Sequence, residues 1–185
     1  MPIKFALNNP ILKMWILLRQ TYISVSKCEE AMLAKAGLTL QQYKVLMAIK
    51  YINDPVTPTE VARWLDRNTN SISLIIDRME KDGLVKRTRD LKDRRALRLV
   101  MTPKGKDLFE QATVPGWELM KRMMSCFSEE EMQTFTHLME RLREGALEEL
   151  TPGESTEEVK INDAKNIARF MARTSKGKNR GHSRE

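Results

Sequence analysis

Between Thr57 and Met101 the hydrophobic period of the chain changes, and this change limits the fold more than any other feature. Thr57-Pro58-Thr59-Glu60 is a helix start, with Thr57 as the cap, Pro58 at the first helical position and Glu60 able to reach back to the cap. The short helix that follows carries Val61, Ala62 and Leu65 inward and ends by Asp66-Arg67. Asn68 opens another helix, which Gly83 stops. On it Ile72, Ile75, Ile76 and Met79 recur at helical spacing and form one inward stripe. Beyond Gly83 the pattern becomes that of strands. Leu84–Thr88 and Ala96–Met101 flank a charged turn, Arg89 to Arg95, which predicts a β-hairpin. Two short helices in a tight turn, followed by a hairpin, make a winged helix-turn-helix.

The flanks are helical. Ile11, Trp15, Leu18, Tyr22 and Val25 mark a long amphipathic helix ending near Ala36-Gly37. Thr39 and Gln42 form a capping box for a second helix through Val45, Leu46 and Ile49. Thr102-Pro103 starts a helix with Leu108, Phe109 and Ala112, for which a kink or short break is expected at Pro115. Ser128 and Glu131 box the start of a last core helix through Phe135, Leu138, Met139, Leu142 and Leu150. The expected fold class is mainly α with a small β-hairpin wing: a winged helix-turn-helix lobe plus a helical dimerisation region. The domain reading assigns 1–36 to an N-terminal dimerisation helix and 37–106 to the winged helix-turn-helix lobe, with the helix-turn-helix at about 57–82 and the wing at about 84–101. It assigns 107–150 to C-terminal dimerisation helices and 151–185 to a polar, basic-ended tail, expected to be largely disordered and to act as a solubilising end, the alternative being non-specific phosphate contacts.

Charge is distributed unevenly. Thr57 to Lys106 holds 13 Lys/Arg against 7 Asp/Glu, whereas Asp107 to Leu150 holds 4 against 10. A basic middle beside an acidic segment points to one face meant for a polyanion. Other classes find little support. The apolar stretch Ile11 to Leu18 is interrupted by Lys13 and falls well short of the ~20 residues a membrane span requires. Cys28 and Cys126 form no disulfide framework, and no Cys/His cluster has zinc-ligand spacing, so a cytoplasmic protein without metal or cofactor is expected. His137 and His182 stand without a nucleophile at recognisable spacing, and there is no glycine-rich phosphate loop, so no enzyme is expected.

The candidate site is a DNA-reading surface. Opposite the isoleucine stripe, the helix after Asn68 presents Asn70, Leu74, Asp77 and Lys81, flanked by Thr69, Ser71, Ser73 and Arg78. Short hydrogen-bonding side chains near a helix start suit the major groove. From Lys86 to Arg98 the hairpin adds seven basic residues, among them Arg87, Arg89, Lys92, Arg94 and Arg95, against Asp90 and Asp93. An arginine at the tip of a thin hairpin can enter a narrow minor groove, while its neighbours take phosphates. A winged helix used only for protein–protein contact is the alternative, and it calls for an acidic or apolar face without wing arginines.

Gly83-Leu84-Val85-Lys86-Arg87, the wing Asp90-Leu91-Lys92-Asp93-Arg94-Arg95-Ala96, and Leu99-Val100-Met101-Thr102-Pro103-Lys104-Gly105 together resemble the MarR family of bacterial transcription regulators. The resemblance runs from about Ile11 to Leu150. It implies a homodimer in which the first helix and the last two core helices interleave, binding a pseudo-palindromic operator in double-stranded DNA as a repressor released by a small-molecule effector. By position, Arg95 matches the family's minor-groove arginine, Asp93 the acidic residue that braces the wing, and Arg94 a phosphate contact. Leu74 departs from the pattern, standing where many members place a basic or polar residue; contact with a thymine methyl fits it. Trp15, Tyr22 and Tyr43 are candidates to line a pocket for a small aromatic ligand, although aromatics at this spacing are also ordinary core. Cys28, beside Glu29 and Glu30, is expected to be a quiet buried thiol rather than an oxidant sensor.

Overall fold

The computed structural model describes residues 9–52, 56–89 and 97–150. Six helices and one hairpin follow in the order α1 (Pro10–Lys35), α2 (Leu40–Tyr51), α3 (Pro58–Trp64), α4 (Thr69–Lys81), β1 (Val85–Arg89), β2 (Leu97–Met101), α5 (Pro103–Met124) and α6 (Glu129–Leu150). Local capping sets most of these boundaries. The Asn9 side chain accepts from the Ile11 N–H at 2.9 Å to open α1. Thr39 and Gln42 exchange hydrogen bonds at the start of α2, and Thr57 and Glu60 do the same at α3. Asn68 accepts from the Asn70 N–H at 2.8 Å to open α4. Each bond satisfies a donor that the first helical turn leaves without a partner. Gly37 and Gly83, at φ +72° and +71°, end α1 and α4 in the left-handed region. Between α3 and α4, Asp66 takes φ +50°, a position where Asp is one of the few tolerated non-glycine residues.

One core lies inside the lobe. Val45 and Leu46 of α2, Val61 of α3, Ile72, Ile76 and Met79 of α4, Val85 and Leu99 of the hairpin and Phe109 of α5 are each at most 3% exposed. The strands pair antiparallel with Val85 opposite Met101, Arg87 opposite Leu99 and Arg89 opposite Leu97. Outside this pair, the Leu99 N–H donates to the Val56 carbonyl at 2.8 Å, tying the wing to the entry of α3.

The start of α5 is locked to the base of the wing. Thr102 caps it, accepting from the Gly105 N–H at 3.0 Å and donating to the Gly83 carbonyl at 2.6 Å. A Cβ on Gly105 would lie 2.0 Å from the Leu84 carbonyl oxygen, so no larger residue fits without moving backbone. The Lys104 ammonium donates to the Asp82 carbonyl at 2.9 Å, where α4 ends and its dipole favours a cation.

Two expectations, the break at Pro115 and the burial of Cys28, are corrected. α5 runs without a break from Pro103 to Met124, through Pro115. Proline deletes a single N–H from the helix ladder, and the turns before it are held by buried Phe109 and Ala112. Among the described residues none covers α6, and no residue of that helix is buried. Cys28 is exposed on α1 rather than buried.

The chain divides into two compact units after Lys121. The first holds the lobe just described. Within the second, Ser128 and Glu131 form the expected capping box of α6, and Phe127 stacks on Phe135 with ring centroids 5.5 Å apart. The tail proposed at 151–185 lies outside the described residues.

Candidate nucleic-acid interface

α4 is two-faced because its sequence is. Ile72, Ile76 and Met79 are at most 1% exposed, while Thr69, Asn70, Ser71, Leu74, Asp77, Arg78 and Lys81 on the other side are exposed and Ser73 is half-buried. Leu74 stands out there, 59% exposed in the middle of a polar surface. The positions expected to read DNA from this helix therefore share one open face.

The hairpin continues from that helix. Lys86 and Arg89 are exposed on β1. Lys92, Asp93, Arg94 and Arg95 lie outside the described residues.

Arg87 is placed differently from its neighbours. Its Nη2 donates to Asp77 Oδ1 at 2.5 Å and its Nη1 to Glu80 Oε2 at 2.6 Å. Glu80 Oε1 also accepts the Arg87 backbone N–H at 3.0 Å. That backbone hydrogen bond, aided by the guanidinium, holds the Glu80 carboxyl below its ordinary value. For Arg87 burial works against the charge, but the two carboxylates outweigh it and raise its pKa. By sequence Arg87 reads as a DNA contact, while Glu80 goes unmarked. The signal was present: Asp77 and Glu80 share a helix face, and the Gly83 stop folds β1 back against it.

The three aromatic candidates separate. Tyr43 packs inside the lobe, its ring stacked on Phe109 at 5.3 Å. Burial pushes its phenol pKa up, a hydrogen bond with Thr113 opposes this, and Glu29 adds to it. Trp15 and Tyr22 stand open on α1, 55% and 68% exposed. An enclosed pocket using all three needs another surface to cover α1. Among the described residues no group of His, Cys, Asp and Glu is arranged to hold a metal ion, and no helix is long and apolar enough to cross a membrane.

Comparison with known proteins agrees with this architecture. The MarR family model matches residues 38–97. The transcriptional repressor MdtR of Bacillus subtilis (strain 168) is 31% identical over 112 residues, which cover 60% of this chain and 72% of MdtR. The chain belongs to the MarR family. It is thus a winged-helix, DNA-binding transcriptional regulator. Among solved structures, the organohalide-sensing regulator RdhR in its 2,4-dichlorophenol-bound form is similar, with a TM-score of 0.70, 27% identity, and coverage of 83% of this chain and 90% of that one. MepR of S. aureus, in complex with DNA, shares the fold at a TM-score of 0.64 and 21% identity, covering 70% of this chain and 94% of MepR. The match to the family model spans α2 to the start of β2, so it rests on the lobe that carries the candidate interface.

Proposed function

We propose that this MarR-family chain is a homodimeric repressor that binds a pseudo-palindromic operator and is released by a small aromatic effector. The observation that carries the reading is α4, whose apolar side is spent on the lobe core while its polar side stays open beside the basic strand β1. In the major groove Thr69, Asn70, Ser71 and Ser73 offer hydrogen bonds to base edges and backbone, and Leu74 offers an apolar contact for a thymine methyl. Arg78, Arg89, Lys92 and Arg94 take phosphates, Arg95 enters the minor groove, and Asp93 braces the wing.

Two further observations support the dimer and the effector. α1 and α6 each leave large apolar side chains exposed, Ile11 and Trp15 on the one and Leu138 and Leu142 on the other, and each is a face that a second copy would bury. Two lobes related by a two-fold axis read half-sites about 10 bp apart, or a multiple of that. Tyr43, with Trp15 and Tyr22 once α1 is covered, offers flat faces and a hydroxyl to a phenolic ligand. The similar regulator RdhR holds 2,4-dichlorophenol.

Fluorescence anisotropy tests the reading. DNA from upstream of the protein's own gene is compared with scrambled DNA at two salt concentrations, for wild type and Arg95→Ala. Binding that survives scrambled competitor, and that weakens by about 1–3 kcal/mol in the variant, is the expected result. Equal, steeply salt-dependent binding to both DNAs would reduce the surface to a basic patch. Addition of 2,4-dichlorophenol should lower operator affinity; a phenol panel without effect removes the effector from the reading.

A further inference from the structure

Charge and position on β1 mark Arg87 as a phosphate ligand, but its geometry gives it other work. One planar guanidinium bridges two carboxylates of α4, Asp77 Oδ1 at 2.5 Å and Glu80 Oε2 at 2.6 Å. The second oxygen of Glu80 accepts the Arg87 backbone N–H at 3.0 Å, so the strand is gripped by main chain and side chain together. Reaching a phosphate would require a side chain only 24% exposed to break two charge-assisted hydrogen bonds. Asp77 matters as well. It lies on the open stripe with Leu74, 49% exposed, where a bare carboxylate would repel the phosphates that Arg78 and Lys81 attract.

We propose that Arg87 is a positioning residue for DNA recognition and makes no phosphate contact: Asp77 and Glu80 clasp it so that β1 and α4 approach DNA as one unit, with the Asp77 charge neutralised. The proposal rests on the DNA-binding reading above and adds to it the link between groove-reading helix and wing. Lys86 and Arg89, exposed on either side of Arg87, are the strand cations left to meet the backbone.

The test is a double-variant cycle on the full chain, using a duplex that the wild type selects from a randomised library. Affinity is measured over a salt series, with thermal melting alongside. Arg87→Met, Arg87→Lys and Glu80→Gln are each expected to weaken binding about 10-fold. Lys cannot span both carboxylates, and Gln keeps an acceptor for the Arg87 N–H while losing the charge. Glu80→Gln is nearly isosteric, so it carries the test if Arg87→Met melts too low. The slope of log affinity against log salt stays at the wild-type value, and Arg87→Met combined with Glu80→Gln binds no more weakly than either alone. A phosphate contact gives another pattern: Arg87→Lys binds like wild type, Arg87→Met flattens the slope by about 0.9, and Glu80→Gln binds as well or tighter. That pattern overturns the proposal, as does wild-type affinity in all three variants. If the wild type selects no sequence, the DNA-binding reading itself falls and the clasp falls with it as a recognition device.

Discussion

α4 and α6 carry apolar stripes of similar regularity, and the chain treats them in opposite ways. Ile72, Ile76 and Met79 of α4 vanish into the lobe, at most 1% exposed. Phe135, Leu138, Met139 and Leu142 of α6 keep between 38% and 50% of their surface open, and no residue of that helix is buried. An amphipathic pattern states that a helix has a face to bury; it does not state whether the cover comes from the same chain. In α4 the cover is intramolecular, which leaves the opposite face open, the face proposed to read DNA. In α6 none of the described residues supplies the cover, and a second copy is the proposed source. α1 behaves like α6, with Ile11 79% exposed.

The contrast can be broken experimentally. The largest effect is expected from Ile76→Ala, which opens a cavity in the lobe core and should cost about 2–5 kcal/mol in chemical denaturation. A cost under about 1 kcal/mol would show that α4 is not the lobe's central helix. Gly105→Ala follows, at about 1–3 kcal/mol, since its methyl must displace the Leu84 backbone. Thermal melting checks it, and an unchanged melting temperature would mean that α5 can lift from the wing base freely.

On α6 the readout changes. Phe135→Ala with Leu142→Ala should weaken self-association by about 2 kcal/mol in sedimentation, while the lobe's unfolding transition stays in place. Loss of lobe stability with unchanged association would reverse the assignment. Leu74→Ala sharpens the other side of the comparison. A side chain 59% exposed contributes little to folding, so stability should hold within about 0.5 kcal/mol. Preference for thymine at one operator position should fall in a selection experiment, and an unaltered selected sequence would remove Leu74 from the reading surface.

The smallest effect concerns pH. Glu80 faces Arg87 and lies near Asp77, and its carboxyl is held below the ordinary 4.5. Because the folded value is lowered, its contribution is complete above 4.5 and is lost only as pH falls through that lower folded value. The clasp should therefore be insensitive to pH through the neutral range. NMR titration of the Glu80 carboxyl provides the check, and a midpoint at or above 4.5 would contradict the geometry.

Much of this protein is legible one helical turn at a time. Thr39 with Gln42, Thr57 with Glu60, Asn68, Ser128 with Glu131, and the left-handed Gly37 and Gly83 act on backbone groups within a few residues, so reading them in order yields the helix boundaries and the hairpin. The inward stripe of α4 and its open polar face follow from the same periodicity. Other features depend on residues distant in sequence. Arg87 reads as one more wing cation until Gly83 turns β1 back along α4 and delivers Asp77 and Glu80 to its guanidinium. Pro115 reads as a break, yet α5 runs through it, with Phe109 and Ala112 buried in the turns before. Cys28 reads as a buried thiol, yet its side chain stands exposed on α1. Caps and periodicity are short-range properties that the sequence settles by itself. The choice of partner for a charge or an apolar face depends on which surfaces the folded chain brings within reach, and only the tertiary structure decides it.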